Sequence, residues 1–341
     1  MFIQSSDLFD TECNELHIGN TPRSIMTKGN SVTIGTRYRN FVRGNKDKLM
    51  ISYRRERSHD YLMEFACGVL FEGEIHFFGG YSNKIDITRQ HFVIETQRSG
   101  QLVKMMKKED LEIGFSKASC SSFEITSEYF PWFKTNVVIL CFDYYKKKSC
   151  YSFDGKLNGK LIGDSNYEHN LGGLTKYESN LLTVGGVNNQ NTEIMQRDGG
   201  QIFGWSIVDP DFKFTQAESV YDHSMVTVES SDINEEYVLL IGGDSPYKTL
   251  ENVFKFNGTW FPFGELNKPR YYHNSIYWNG AVYVIGGAYG DDVDSYENTK
   301  IEIWNIKDSP DQFKTIENWP EVFDWEYPHL FIVADSFFPD H

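Results

Sequence analysis

Long apolar runs and helical periodicity are both missing from this chain of 341 residues. No stretch approaches the roughly 18 apolar residues that a membrane-spanning helix needs, so we expect no membrane insertion. The first residues lack a basic segment followed by an apolar core, so they do not resemble a signal peptide. We therefore expect a cytoplasmic protein, or an extracellular one if the sequence is a fragment of a secreted protein.

Positive charge is scarce as well. The chain has 33 Lys and Arg against 48 Asp and Glu, which gives a formal net charge of −15. Its short basic groups, near residues 54–57, 104–108 and 146–148, are separated and lie beside acidic residues, as solvated loops do. Without a basic stripe, neither nucleic acid nor an anionic membrane is an expected partner. The negative charge instead favours a protein partner with a basic patch.

Cysteine is rare, and the five cysteines are an odd number. That is too few for a disulfide scaffold, so mostly reduced thiols are expected. Cys67, Cys120, Cys141 and Cys150 fall at core or hairpin positions of the sequence pattern. Cys141 and Cys150 could face each other across a hairpin, but directly opposed strand positions strain a disulfide, so we favour two reduced thiols there.

Familiar catalytic signatures are absent too. The sequence has no Gly-rich phosphate loop, no zinc-type pairing of Cys and His and no serine nucleophile elbow. An acidic run at 291–297 resembles a calcium loop only in its charge, since it lacks the glycine and the ligand spacing of such a loop. These patterns indicate no cofactor.

What the sequence does contain is a repeated glycine pair that ends a short apolar run. Buried strands that stop at residues without a Cβ, recurring about every 50 residues, are typical of a repeat fold. The pairs are Gly79 and Gly80, Gly185 and Gly186, Gly242 and Gly243, and Gly286 and Gly287. A disguised copy aligns Cys141 and Phe142 with the glycines.

Each pair ends one hairpin and is followed by a second. The clearest copy joins residues 273–278 to residues 281–287 through Asn279 and Gly280, and Asn-Gly between alternating apolar runs is a strong hairpin signal. Four antiparallel strands in roughly 50 residues form one blade of a β-propeller. The five complete units lie at 65–105, 118–163, 169–215, 222–263 and 272–316.

A Tyr-x-His motif recurs where the innermost strand of a blade begins. It occurs at Tyr167 and His169, Tyr221 and His223, Tyr271 and His273, and Tyr327 and His329, with spacings of 54, 50 and 56 residues. Because two independent markers recur in one phase, the sequence predicts that these side chains lie around the central channel.

The stretch from Lys268 to Gly287 resembles the kelch repeat. The hallmarks of that repeat are a glycine pair after the second strand and an Arg-x-x-His start to the first, here Arg270 and His273. The likeness extends over 220–320, with fainter copies at 60–105 and 165–215. It implies an all-β propeller of four-stranded antiparallel blades, in which the repeated His is a structural hydrogen-bonding residue.

The two ends of the chain indicate how the ring closes. Residues 329–333 supply one more inner strand, and residues 36–42 and 49–53 offer outer strands. An open sheet edge would expose unpaired backbone groups, and kelch proteins often avoid it by sharing a blade between their ends. We therefore predict six blades over residues 36–341, the sixth shared, and leave residues 1–35 without an assigned fold.

The connections between strands predict where a partner binds. If strands a to d run from the channel outwards, the d–a and b–c connections share one face, and loops on a rigid frame carry function. The predicted b–c loops, at 81–89, 187–200, 244–251 and 288–298, are long and polar. We predict a non-enzymatic protein–protein interaction module that binds through this face. The candidate residues are Tyr167, His169, Tyr221, His223, Arg270, Tyr271, His273, Tyr327 and His329.

Two alternatives stay open. Some kelch enzymes resemble galactose oxidase, whose copper is held by tyrosines, histidines and a tyrosine fused to cysteine, so a copper oxidoreductase is one alternative. A ring of histidines also suggests a metal, although inner strands around a channel diverge and four imidazoles need not reach one ion. The other alternative is a secreted or adhesion protein.

Overall fold

The structure of the protein is a computed structural model. The residues that it describes are 30–35, 40–45, 48–53, 66–72, 74–80, 89–96, 103–126, 134–155, 160–198, 201–216, 219–230, 235–278, 280–290, 296–297, 300–308, 313–315 and 328–333. Regular structure in these ranges consists of β-strands, and they contain no helix of the length and apolarity that crossing a membrane requires.

Five consecutive antiparallel sheets form the body of a β-propeller. Four of them consist of four strands in chain order, and the fifth carries an additional two-residue strand. The innermost strands of neighbouring sheets contact each other, so the sheets stand side by side around a central channel. The predicted all-β class and the four-stranded antiparallel blades are confirmed.

We number the strands in chain order and name the strands of a blade a to d from the channel outwards. The first three blades contain β4 (Cys67–Phe71), β5 (Glu74–Phe78), β6 (His91–Thr96) and β7 (Val103–Lys107); β8 (Ser119–Thr126), β9 (Lys134–Cys141), β10 (Ser149–Phe153) and β11 (Lys160–Asp164); and β12 (Gly173–Tyr177), β13 (Asn180–Gly186), β14 (Asn189–Asp198) and β15 (Gln201–Val208). The last two contain β16 (Ser224–Ser230), β17 (Glu235–Ile241), β18 (Asn252–Phe256) and β19 (Trp260–Glu265); and β20 (Tyr271–Trp278), β21 (Ala281–Tyr289), β22 (Tyr296–Glu297), β23 (Glu302–Asn305) and β24 (Lys314–Thr315).

The two ends of the chain meet, but not as the predicted sixth blade. β25 (Pro328–Val333) pairs with β1 (Asn30–Gly35), while β2 (Asn40–Asn45) pairs with β3 (Lys48–Tyr53) in a separate two-stranded sheet. β25 also contacts β20 and β4, the innermost strands of the fifth and first blades. The predicted count of six four-stranded blades is therefore wrong. Five are present in the described chain, because no ladder joins β1 to β2.

The apolar core lies between blades. On β9, Val138 and Leu140 are buried against blade 1, whereas Val137, Ile139 and Cys141 are buried against blade 3. Because successive side chains of a strand point to opposite faces of the sheet, a strand covered on both faces is continuously apolar. This explains the apolar runs from which the repeat was predicted.

The glycine pairs lie where the next blade approaches most closely. Gly242 has φ of +57°, in the left-handed region that favours glycine. A Cβ at this position would lie 2.7 Å from the carbonyl oxygen of Arg270, on the segment that leads into blade 5. No side chain fits between these two backbones, so the glycine is required by the packing of blade on blade.

The disguised pair of blade 2 lies one residue beyond its predicted position. Phe142, rather than Cys141, has φ of +60° and donates its N–H to the carbonyl of Ser149 at 3.0 Å. Gly242 makes the same bond to Asn252 in blade 4. The equivalents of the glycines are therefore Phe142 and Asp143, because Cys141 is still a paired residue of β9.

Blade 3 also departs from its predicted connections. Residues 187–200, predicted as a b–c loop, contain most of β14, which leaves residues 187–188 as the connection. Residues 212–214 lie in the d–a connection that follows β15. β14 was not predicted because its buried positions include polar side chains, among them Thr192 and Glu193.

The b–c and d–a connections share one surface, which we name the loop face, and the a–b and c–d turns form the opposite turn face. The described parts of the loop face include the b–c connections 142–148, 187–188 and 242–251 and the d–a segments 108–118, 165–172, 209–216, 219–223 and 266–270.

Candidate functional site

Each described d–a segment on the loop face is fixed to the blade before it. The second glycine of a pair donates its N–H to a carbonyl of the segment, and the described bonds are Gly80 to Phe115 at 2.7 Å, Gly186 to Val220 at 2.8 Å and Gly243 to Arg270 at 2.8 Å. These bonds hold the loop face on a rigid frame, which a binding surface requires.

A left-handed residue lies at or just before the start of the innermost strand, at the mouth of the channel. The described ones are Lys117, Leu171, Asp222 and Tyr272, with φ of +55°, +61°, +52° and +56°. Their backbones connect neighbouring blades, because Asp222 donates its N–H to Leu171 at 2.8 Å and Tyr272 donates to Asp222 at 3.1 Å. We name these four residues the rim. The rim could not be predicted from the sequence, since its members share a backbone conformation but no side-chain type.

Inside the rim lies a cavity of about 470 Å³. Its lining includes Lys117, Asp222 and Tyr272, together with the first residues of the innermost strands. Desolvation raises the pKa of Asp222 well above its usual value, and the nearby Lys117 partly opposes this shift. The channel mouth is therefore polar, with a carboxyl group that takes up a proton more readily than one in water.

His223 and His273 are buried at the channel and pack against glycines of the preceding blade. The Nε2 atom of His223 would lie 2.8 Å from a Cβ on Gly173, and the Cε1 atom of His273 would lie 3.0 Å from a Cβ on Gly242. Burial lowers the pKa of His223 to about 3, and burial beside Arg270 lowers that of His273 well below its usual value. Both imidazoles are therefore uncharged at neutral pH, and they pack between adjacent blades.

Arg270 lies in a buried polar clamp rather than at the surface. Its guanidinium donates to the carbonyl of Gly286 at 3.0 Å and to the carboxylate of Glu302 at 2.6 Å, and both charged side chains have 0% exposure. Asn267 donates its backbone N–H to the second oxygen of Glu302 at 2.6 Å. The buried charges are paired, and the clamp fastens the d–a segment to blade 5, the blade that this segment enters.

Blade 3 contains the same clamp with histidine in place of arginine. The Nδ1 atom of His169 lies 2.7 Å from the carbonyl oxygen of Gly185, and Nε2 lies 2.8 Å from a carboxylate oxygen of Glu193. Burial alone would raise the pKa of Glu193, but hydrogen bonds from His169, Asn166 and Tyr167 lower it on balance. The Tyr-x-His motif of blade 3 therefore lies in another register than those of blades 4 and 5.

The corresponding positions in blades 2 and 4 are apolar. In blade 2, the rings of Phe115 and Tyr151 meet edge to face with centroids 5.7 Å apart. In blade 4, Val220 and Phe254 belong to one buried cluster. The contact between the d–a segment and strand c is thus a structural element of blades 2 to 5. It is an apolar contact in blades 2 and 4 and a hydrogen-bonded one in blades 3 and 5.

The tyrosines of the predicted motifs have varied surroundings. Tyr167 is 37% exposed on the loop face. Tyr221 and Tyr271 are partly buried, and Tyr221 exchanges backbone hydrogen bonds with Asp244. His329 lies on β25 opposite Ile34. Tyr327 lies outside the described residues.

Exposed tyrosines of the described chain cluster on the loop face. Tyr144 and Tyr145, in the b–c connection of blade 2, are 45% and 58% exposed, and Tyr247, in that of blade 4, is 81% exposed. The sequence analysis had interpreted the neighbouring lysines as a solvated loop. The available signal was the run Tyr-Tyr-Lys-Lys-Lys between two strands.

Two disulfides are present where reduced thiols were expected. Cys67 and Cys120 connect the innermost strands of blades 1 and 2, with Cα atoms 6.0 Å apart. Cys141 and Cys150, register partners on β9 and β10, are also bonded, with Cα atoms 4.1 Å apart. The prediction of reduced thiols is therefore wrong. The first bond joins residues 53 positions apart, which become neighbours only when two blades stand side by side.

Potential metal ligands do not converge within the described ranges. Those ranges contain no group of three or more His, Cys, Asp or Glu side chains that could hold an ion. In particular, His169 is engaged in its clamp with Glu193.

Comparison with known proteins finds no match, either among family models or among curated sequences. The kelch resemblance therefore rests on the sequence motifs, whereas the propeller rests on the sheet topology.

Proposed function

We propose that this protein is a non-enzymatic interaction module that binds a protein partner on its loop face. The observation that carries the proposal is the position of its exposed aromatic side chains, since Tyr144, Tyr145, Tyr167 and Tyr247 all lie in b–c or d–a connections. Tyrosine offers a large apolar ring with a hydrogen-bonding hydroxyl, and it is enriched at interface hot spots. A rigid frame lowers the entropy that such a surface loses on binding.

The buried polar groups support a structural role. Arg270 is paired with Glu302 and His169 with Glu193 inside the blades, and burial keeps His223 neutral. General acid–base or nucleophilic catalysis requires such groups to reach a substrate. Their engagement in blade packing favours a scaffold over an enzyme.

The copper alternative gains no support from the cysteines. The four described cysteines are all in disulfides, so none of these is free to fuse with a tyrosine. Metal analysis of the purified protein separates the two functions. We expect no stoichiometric copper, and stoichiometric copper would overturn the interaction-module proposal.

The disulfides also lead us to propose that the protein matures in an oxidising compartment. Disulfides form and persist in secretory and extracellular environments and are rare in the cytosol. The cysteines therefore favour the extracellular alternative over the cytoplasmic expectation.

Affinity capture from extracts of cells that express the protein tests the proposed function. The loop-face variant is Tyr145→Ala/Tyr247→Ala, and the matched control on the turn face is Asp154→Ala/Asn257→Ala. Both variants alter the same two blades, and all four residues are exposed. We expect proteins captured by the wild type to be lost with the loop-face variant and retained with the control. Loss with the control alone would contradict the proposal.

A further inference from the structure

The loop face carries a patch of tyrosine and lysine side chains at blade 2. We define it as the Tyr–Lys patch, formed by Lys117, Tyr144, Tyr145, Lys146, Lys148 and Tyr167. We propose that this patch binds an extended acidic segment of a protein partner, with carboxylates on Lys146 and Lys148 and an apolar side chain against the tyrosine rings. This inference rests on the proposed function and specifies the partner for that same face.

The patch is one continuous surface because the b–c connection of blade 2 bridges two d–a segments. On one side, Tyr144 donates its N–H to the carbonyl of Ser116 at 3.0 Å. On the other side, the ammonium of Lys148 donates to the carbonyl of Asn166 at 2.7 Å. The side chains named above therefore share one rigidly held area, to which the segment that enters blade 3 contributes Tyr167.

Lysines of the patch are positioned by aromatic rings. The ammonium of Lys117 lies 5.6 Å from the ring centroid of Tyr144, and that of Lys146 lies 5.3 Å from the ring centroid of Tyr151. Tyr144 and Tyr145 meet edge to face with centroids 5.2 Å apart. Held cations beside exposed rings reduce the ordering cost of binding a carboxylate together with an apolar group.

The acidic side chains around Lys146 and Lys148 are buried, paired with another lysine or at the edge of the patch. Glu168 pairs with Lys147 at 3.3 Å, so these two side chains add no net charge to the patch. Asp143 is buried beneath the loop, where it accepts the N–H of Tyr145 at 2.9 Å, and burial raises its pKa. Asp164 lies at the edge, at the end of β11. Lys146 and Lys148 therefore supply the local positive charge of the patch, whereas Lys117 lies near Asp222 at the channel mouth.

A short acidic segment suits this charge distribution better than a long polyanion. The chain as a whole carries a formal charge of −15, so a long sulfated polymer would meet repulsion beyond the patch. At physiological ionic strength screening acts over about 8 Å, which lets a segment confined to the patch respond to the local lysines. The partner chemistry is therefore the opposite of the basic partner that net charge alone predicted.

Fluorescence anisotropy with synthetic peptides tests the proposal on the full-length protein. The probe is a short labelled peptide in which Asp and Glu alternate with Leu, and its control replaces the acids by Asn and Gln. We expect the acidic peptide to bind at least about tenfold more tightly than the neutral one, and its affinity to fall as NaCl is raised. Equal affinity for the two peptides, or no binding of the acidic peptide, would overturn the proposal.

Matched variants assign the binding to the patch. Lys146→Glu/Lys148→Glu and Tyr144→Ala/Tyr145→Ala should each weaken the acidic peptide about tenfold or more, whereas Tyr247→Ala/Lys248→Glu on blade 4 should leave it unchanged. Thermal unfolding verifies that each variant is folded. An equal effect of the blade 4 variant would contradict the assignment, as would heparin that binds the patch while the acidic peptide does not. If loop-face capture of a partner persists without peptide binding, the proposed function stands and this inference fails.

Discussion

At the scale of single residues, Arg270 and His169 have the same role despite their different chemistry. Each lies two positions before a rim residue and bonds both a glycine carbonyl and a buried glutamate of its own blade. The sequence predicted a role at the channel for both. It missed Glu302 and Glu193, because partners 24 or more positions away meet only through the sheet register.

Removing one partner of the clamp should cost more than replacing both. Arg270→Val leaves the Glu302 carboxylate buried without its cation, and we expect a loss of about 3–5 kcal/mol in the free energy of unfolding. Arg270→Val/Glu302→Phe copies the apolar pair Val220 and Phe254 of blade 4, so it should recover much of that loss. Urea unfolding measures both variants. A double variant no more stable than the single one would contradict the equivalence of the clamps.

A histidine pair between blades 1 and 2 should make the protein sensitive to acid. His76 Nδ1 lies 2.9 Å from His91 Nε2, and burial, with Lys108 also contributing, lowers both pKa values to about 4. In the unfolded chain the two histidines take up protons near pH 6.5. The stabilisation that the neutral pair contributes is therefore complete above that pH and is lost as the pH falls towards about 4. Glu74, 3.7 Å from His76, is the nearby carboxylate.

The acid sensitivity can be tested with a variant that cannot titrate. His76→Phe/His91→Phe keeps aromatic rings in an aromatic cluster but removes the imidazoles. Between pH 7 and 4, its unfolding free energy should fall less than that of the wild type, by a difference on the order of a few kcal/mol. Parallel pH profiles from urea titrations would show that the histidine pair does not contribute.

At the scale of elements, the glycine that ends strand b is fixed by both conformation and contact. Gly242→Ala combines φ of +57° with a Cβ only 2.7 Å from the Arg270 carbonyl oxygen, so we expect a loss above about 2 kcal/mol. Gly280→Ala is the matched control, since its φ is +79° but nothing lies within 4 Å of its Cβ. Its cost should remain about 1–2 kcal/mol, the cost of the left-handed conformation alone. Equal losses in chemical denaturation would mean that close blade packing does not select the glycine.

The strands differ in how well the sequence predicted them. β5, β17 and β21 were predicted correctly, because burial on both faces makes them apolar and a glycine pair marks their ends. Most of β14 was predicted as a loop because several of its buried side chains are polar. Their partners are distant in sequence, as His169 is from Glu193, so the local pattern does not show that they are buried. Whether such a sequence forms a strand is decided by its position in the propeller rather than by its local pattern.

At the scale of the whole molecule, the two disulfides should stabilise the propeller unequally. Cys67–Cys120 closes a loop of 53 residues between two blades, and Cys141–Cys150 closes one of 9 residues within a blade. Chain-entropy arguments give about 4 kcal/mol for the first and about 3 kcal/mol for the second. Cys67→Ser/Cys120→Ser should therefore be the more destabilised variant in urea unfolding. A larger loss for Cys141→Ser/Cys150→Ser would contradict this ranking.

The closure of the ring was only partly predictable. Repeat spacing predicted the five complete units, since each contains its own apolar strands. The pairing of β1 with β25 joins strands from opposite ends of the sequence, and no glycine pair or apolar run marks β1. For the proposed binding surface the sequence predicted the loop face and Tyr167, but not Tyr144, Tyr145 or Tyr247, because these exposed tyrosines follow no repeat.

Site-specific photocrosslinking tests most directly whether the loop face is the binding face. A photoreactive amino acid replaces Tyr145 or Tyr247 on the loop face, and Asp154 or Asn257 on the turn face, one position at a time in the intact protein. Tyr247 and Asn257 flank the same strand, β18, so they differ mainly in the face on which they lie. We expect a discrete crosslinked partner from at least one loop-face position and none from the turn-face positions. Crosslinks confined to Asp154 or Asn257 would contradict the account.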